Sequence, residues 1–225
     1  MPTTARTLAT GALLALGLAA APAAATAADA PSADPTPERI AEIERYYESG
    51  AWKRDADAVA ARALRQLRAS VRRAREPRRL VAVFDVDDTA LSTYDCMKAG
   101  FFTDGRRTAC VVTGPHTAIA GVLKLFRYAQ QRRVRVAFVT GRPEYVRTLT
   151  LQQLRRAGFR GRYQLLLRPS DDRRHSVVPF KSSARRSLQR GGRRVVLNIG
   201  DQRSDLAGGV AQRTFKLPNP MYTLP

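Results

Sequence analysis

Leu80-Val81-Ala82-Val83-Phe84-Asp85-Val86-Asp87-Asp88-Thr89 is the stretch from which the fold is read. The apolar run from Leu80 to Phe84, with two valines and a phenylalanine, predicts a short strand buried on both faces. It has to end where the acids begin, because unpaired carboxylates are too costly to keep in a core. Asp85 and Asp87, one residue apart at the carboxyl end of that strand, offer a carboxylate nucleophile, a second carboxyl group for proton transfer and a seat for Mg²⁺. Taken alone, a D-x-D pair is short enough that a solvated acidic turn is the better reading. The rest of the chain decides between the two.

On the amino-terminal side, residues 38–48 read as a short helix with Ile40, Ile43 and Tyr47 on one face. A longer helix runs from about residue 54 to 74, with Ala60, Leu64, Leu67 and Val71 at three- and four-residue steps and Pro77 closing it. On the other side, residues 90–114 have no clear period and read as a loop or small cap over the strand end. Beyond them a helix is expected over 115–131, a strand over 134–139, a helix over 144–157 stopped at Gly158, and a strand over 164–167. A helix over 180–189 ended by Gly191-Gly192, a strand over 195–199 and a fifth strand over 213–217 complete the series. Strands alternating with helices predict an α/β fold: a Rossmann-like parallel sheet with helices on both faces and a small cap inserted after the first strand.

The first residues have a different character. Arg6 and the amino terminus precede the uncharged run 11–18, and an Ala/Pro/Thr-rich stretch follows. This is the layout of a secretory signal peptide over residues 1–27, with Ala25-Thr26-Ala27 as cleavage site and Ala28-Asp29-Ala30 competing. No twin arginine precedes the run, and no cysteine near the cleavage site offers lipid attachment. No other stretch is long and apolar enough to span a bilayer, so no membrane anchor is expected. Residues 28–37 are punctuated by prolines and read as a mobile linker, and residues 38–225 as one domain. The expectation is an exported protein, extracellular or in the cell-envelope space. In such an oxidising compartment Cys96 and Cys110 should form a disulfide.

The chain of 225 residues carries a formal charge of +20, and only five of its 39 basic residues are lysines. The positive charge is spread along the chain. It would steer anionic substrates such as phosphate esters, and equally give salt-sensitive adhesion to nucleic acid. No basic, aromatic-interleaved motif stands out, and export removes the chain from the chromosome, so no specific nucleic-acid partner is expected.

Reactive groups in such a sheet belong just past the carboxyl ends of strands, beside the point where strand order reverses. Besides Asp85 and Asp87, the second strand is followed by Thr140-Gly141-Arg142, and the fourth by Gly200-Asp201-Gln202-Arg203-Ser204-Asp205. Lys181 lies between them at the start of a helix. Singly, Thr140 is a helix cap, Lys181 a solvated cation and Gly200-Asp201 a turn. Together they supply what phosphoryl transfer from a monoester needs. A carboxylate attacks phosphorus, a metal offsets its repulsion from the dianion, a lysine and a hydroxyl hold the oxygens, and an acid protonates the departing alkoxide.

These four segments resemble the motifs of the haloacid dehalogenase-like superfamily, subfamily IIIB. Its acid phosphatase branch includes plant acid phosphatases, vegetative storage proteins and bacterial class B and C acid phosphatases. The resemblance extends to Tyr46-Tyr47-Glu48-Ser49-Gly50 and to Arg213-Thr214-Phe215-Lys216-Leu217-Pro218-Asn219-Pro220-Met221-Tyr222. It implies a secreted, Mg²⁺-dependent acid phosphatase acting on small phosphomonoesters. Asp85 would be the nucleophile and become a phosphoaspartate, and Asp87 the general acid and later base. Mg²⁺ would take the carboxylates of Asp85 and Asp201 and the backbone carbonyl of Asp87. Thr140 and Lys181, with Gly141, would bind phosphate, and Asp205 would orient Lys181 or a metal-bound water.

A non-catalytic storage or anion-binding protein on the same fold is the main rival, and the presence of Asp85 with its partners argues against it. With only His116 and His175 in the chain, a histidine-rich dinuclear site is excluded. Both histidines read as surface or helix-end residues.

Overall fold

Every strand of the main sheet runs in the same direction, in the order β5-β4-β1-β6-β7. The computed structural model describes residues 34–225 together with Met1. The expected signal peptide and most of the expected linker lie outside the described residues. The described chain begins with helices α1 (Pro37–Glu48) and α2 (Ala51–Arg73), followed by strand β1 (Leu80–Phe84). Next come β2 (Leu91–Ser92), α3 (Tyr94–Lys98), α4 (Asp104–Thr113) and β3 (Thr117–Ala118). Helix α5 (Ala120–Gln131), strand β4 (Arg135–Pro143), helix α6 (Arg147–Arg156) and strand β5 (Gln164–Arg168) continue the series. It closes with α7 (Val178–Ser187), β6 (Arg194–Gly200), α8 (Arg203–Leu206) and β7 (Thr214–Lys216).

The sheet is buried on both sides, as the sequence of β1 demanded. Leu80, Ala82 and Phe84 face a core with Ala63, Leu64 and Leu67 of α2, Leu125 and Phe126 of α5 and Leu154 of α6. Val81 and Val83, half a pleat away, face Ala137, Val139 and Val195 with Ala184 of α7 and the adjoining Leu188. The chain adds β4 and β5 on one side of β1, then crosses back to place β6 on the other. Strand order therefore reverses between β1 and β6, and the crevice outside their carboxyl ends is where a ligand belongs.

Several expected boundaries move. Thr36 caps α1 through its hydroxyl, with Pro37 as the first helical residue, so the helix takes the last residue of the expected linker. Helix α2 begins at Ala51, immediately after Gly50 in a left-handed conformation. The expected helix over 115–131 starts only at Ala120, because Thr117 and Ala118 pair antiparallel with Ser92 and Leu91. The cap is also more ordered than a loop: it holds two helices stapled by a Cys96–Cys110 disulfide, with Cα atoms 5.6 Å apart. It packs on elements far away in sequence. Cys96, Met97, Phe102 and Cys110 share one cluster with Ile43 of α1 and Met221 near the carboxyl terminus. Trp52 of α2 ties that terminal segment down by donating from Nε1 to the Pro218 carbonyl at 2.9 Å.

Candidate active site

Asp85 continues β1 by one residue, its N–H donating to the Ile199 carbonyl of β6 at 3.0 Å. This fixes its carboxylate over the point where strand order reverses. Lys181, from the first turn of α7, donates from Nζ to Asp85 Oδ1 at 2.6 Å and to Asp205 Oδ1. All three side chains are at least nine-tenths buried. Asp205 is held from the other side, as the backbone N–H of Gln202 donates to its Oδ2 at 2.8 Å. That fold-back needs Gly200, since a Cβ there would lie 2.4 Å from the Asp205 Cβ.

Asp201, just past β6, is gripped at both oxygens. The Thr89 hydroxyl donates to Oδ1 at 2.9 Å, while the side-chain amides of Gln202 and Asn219 donate to Oδ2 at 2.6 and 2.7 Å. Asp85, Asp201 and Asp205 each offer a carboxylate oxygen within 4.8 Å of the others. Burial, reinforced by Asp205, raises the Asp85 pKa well above the ordinary carboxylate value against the pull of Lys181. Burial and then Asp205 and Asp88 push Asp201 up to about 7. On Lys181, burial works against the charge, yet Asp205 and Asp85 outweigh it and raise its pKa. Asp85, Asp87, Asp88, Asp201 and Asp205 thus crowd one crevice with Lys181 and Arg142 as the contacting cations. That surplus of hard, anionic oxygen donors fits a divalent cation. Asp85 meets Lys181 through Oδ1, and Asp201 accepts only neutral donors, a single hydroxyl on its Oδ1, so both carboxylates retain lone pairs for a metal. Asp205, by contrast, is committed to Lys181 and to a backbone N–H.

Asp87 sits on the more open side of the crevice, its side chain 20% exposed. Arg142 donates to it twice, from Nε to Oδ2 at 2.9 Å and from Nη2 to Oδ1 at 2.7 Å. Burial would raise the Asp87 pKa, but Arg142 outweighs it and holds the carboxyl below its ordinary value. The guanidinium is itself fixed, with Nη1 donating to Thr150 Oγ1 at 3.1 Å and to Gln153 Oε1 at 2.5 Å. Gln153 in turn donates to the Val111 carbonyl of α4, which links the cap to Arg142.

Thr140 is buried within β4, beside β1, and its hydroxyl accepts from the Arg142 N–H at 3.2 Å. Gly141 leaves room for the loop before α7, since a Cβ there would meet Val177 at 3.3 Å. Asp88 takes a left-handed backbone conformation, at φ 51°, which turns the chain so that its N–H donates to the Leu91 carbonyl. Its carboxylate accepts from the Thr93 N–H and hydroxyl and from the Tyr222 hydroxyl at 2.8, 2.7 and 2.5 Å.

The residues singled out in the sequence therefore converge: Asp85, Lys181 and Asp205 in direct contact, Asp201 beside them, and Asp87 and Thr140 joined through Arg142. The residues that hold them carry weaker signals in the sequence. Arg142 has one, as an arginine directly after a strand-end Thr-Gly, whereas Asn219 and Tyr222 belong to a terminal segment with no local pattern that points to Asp201 or Asp88. His116 departs from expectation, because its ring nitrogens are buried without hydrogen-bond partners. Burial and then Arg142 lower its pKa, with Asp87 opposing.

Residues 4–225 match the family described as HAD superfamily, subfamily IIIB (Acid phosphatase). The chain belongs to that family. It is 39% identical to Acid phosphatase 1 of Solanum lycopersicum over 148 residues, which is 63% of this chain and 58% of that protein. It is 34% identical to Vegetative storage protein 2 of Arabidopsis thaliana over 151 residues, 64% of this chain and 57% of that one. The chain therefore spans less than two thirds of the length of the curated relatives it matches. The class C acid phosphatase of Bacillus anthracis shares the fold, with a TM-score of 0.65 at 17% identity over 83% of this chain and 85% of that one. For this member of subfamily IIIB the HAD fold is thus established across most of the described chain.

Proposed function

We propose that this chain is an Mg²⁺-dependent acid phosphatase that hydrolyses small phosphomonoesters through a phosphoaspartate on Asp85. One observation carries the reading: the buried Asp85–Lys181–Asp205 contact, with Asp201 beside it, at the point where strand order reverses. Asp85 and Asp201, with the Asp87 backbone carbonyl, would hold the metal, which supplies charge neutralisation between nucleophile and phosphate. Lys181, kept protonated by its two carboxylates, holds a non-bridging oxygen, with Thr140 and the Gly141 backbone on the same group.

An Asp85 oxygen attacks phosphorus as the bond to the ester oxygen breaks, and Asp87 gives its proton to the departing alkoxide. In the second half, Asp87 takes a proton from water attacking the phosphoaspartate, which releases orthophosphate, frees Asp85 as a carboxylate and leaves Asp87 protonated. Arg142 suits that second half, since it favours the ionised Asp87. For the first half Asp87 has to acquire a proton. A bound phosphate dianion promotes this by its own charge and by competing for Arg142.

Export follows the signal-like residues 1–27. In keeping with it, no helix among the described residues is long and apolar enough to cross a membrane. The likeness to a vegetative storage protein keeps a reserve role as the alternative. A panel of phosphomonoesters assayed with the purified protein, with added Mg²⁺ and with EDTA, separates the two. Hydrolysis that EDTA abolishes and Mg²⁺ restores is expected, while a panel without turnover favours the reserve role.

A further inference from the structure

At the amino ends of the strands, opposite the catalytic crevice, lies a second cavity of about 660 Å³. Its wall is formed by Val81 of β1, Val134 to Val136 leading into β4, Gln164 of β5 and Leu188 after α7. With about 3.3 Å per strand residue, the four steps from Val81 to Asp85 keep it about 13 Å from Asp85. Five arginines line it, namely Arg78, Arg133, Arg135, Arg162 and Arg193, and no acidic residue does. Among the described residues only Arg78 of the five has a carboxylate partner, Glu76 at 3.3 Å.

The rim is built rather than left loose. Gln130 clamps the backbone of Arg162 at both ends, its Nε2 donating to the carbonyl at 2.6 Å and its Oε1 accepting from the N–H at 3.3 Å. Arg135 Nε donates to the Arg78 carbonyl at 3.0 Å, which ties two sides of the rim together. Arg133 takes a left-handed conformation, at φ 56°, where an arginine is strained and glycine or asparagine would be at ease. Four of the five arginines have no carboxylate partner among the described residues, so the depression carries excess positive charge that a bound anion would offset. Their planar forks match phosphate oxygens two at a time.

We propose that this cavity is a binding site for a small anion carrying two or more phosphate groups, separate from the active site. One phosphate would engage too few of the guanidinium groups, whereas linked phosphates reach several of them across the cavity. The volume suits a small molecule rather than a nucleic-acid strand.

The test is calorimetric titration of inorganic tripolyphosphate, with a chelator present to prevent turnover and at physiological ionic strength. Three proteins are compared: the wild type, Arg133→Gln/Arg162→Gln/Arg193→Gln, and a control, Arg62→Gln/Arg65→Gln/Arg72→Gln, which removes the same charge from α2. The expected result is binding by the wild type and the control, weakened by at least about tenfold in the cavity variant. Melting temperature and aryl phosphate hydrolysis should be unchanged in the cavity variant, and Arg162→Gln alone, at an exposed position, should shift affinity in the same direction. Equal affinity in all three proteins, or equal loss in both triple variants, overturns the site. An oligonucleotide that binds where tripolyphosphate does not overturns the small-anion assignment.

Discussion

Arg142 holds Asp87 by both carboxylate oxygens, and Thr150 and Gln153 hold Arg142. In the free protein this pair keeps Asp87 ionised, so a reaction that needs its proton should accelerate as pH falls. Removing Arg142 raises the Asp87 pKa, and the protonated fraction then survives to higher pH. For Arg142→Gln we expect the alkaline limb of kcat/KM for an alkyl phosphate to move upward in pH. An aryl phosphate, whose leaving group needs less protonation, should show a smaller displacement. A limb that stays in place would detach Arg142 from the proton balance of Asp87.

Gly200→Ala tests the packing behind Lys181. A methyl group 2.4 Å from the Asp205 Cβ must push that side chain away, and with it one of the two carboxylates on Lys181. Overpacking of this kind costs about 1–3 kcal/mol. A lower melting temperature together with impaired hydrolysis is expected. Wild-type values for both would mean that the close approach is relieved without disturbing the site.

Asn219 donates to Asp201 from the carboxyl-terminal segment, so Asn219→Ala should loosen a proposed metal ligand without removing it. Loss of such an orienting contact typically weakens metal affinity by about 10–100-fold. The Mg²⁺ concentration for half-maximal activity should rise accordingly, with the maximal rate partly recovered at high Mg²⁺. An unchanged Mg²⁺ dependence would take Asn219 out of this role.

Much of the fold was legible because β1 is apolar on both faces and the helices after it carry clear three- and four-residue periods. The cap was not. Its helices α3 and α4 are short, and they are stabilised by the disulfide and by Ile43 and Met221, contacts that no local period encodes. The start of α5 was misplaced for a similar reason, since Thr117 and Ala118 are held by a strand partner some 26 residues earlier. At the site, acids at strand ends announced themselves, whereas Arg142, Thr89 and Asn219 act through contacts that exist only once distant segments meet.

The Cys96–Cys110 link closes a loop of 14 residues within the cap. In the chain-entropy account such a loop contributes roughly 3 kcal/mol. Thiol titration of the unfolded, unreduced protein should find no free cysteine, and reduction should lower the unfolding midpoint. Two titratable thiols would contradict the link.

The most direct measurement is hydrolysis of an aryl phosphate by Asp85→Asn, with its folding checked by melting temperature. An amide of the same shape neither attacks phosphorus nor ligates a metal well, so turnover should fall by about a thousandfold or more while the fold persists. A folded Asp85→Asn protein that keeps a substantial part of the wild-type rate would contradict the role assigned to Asp85.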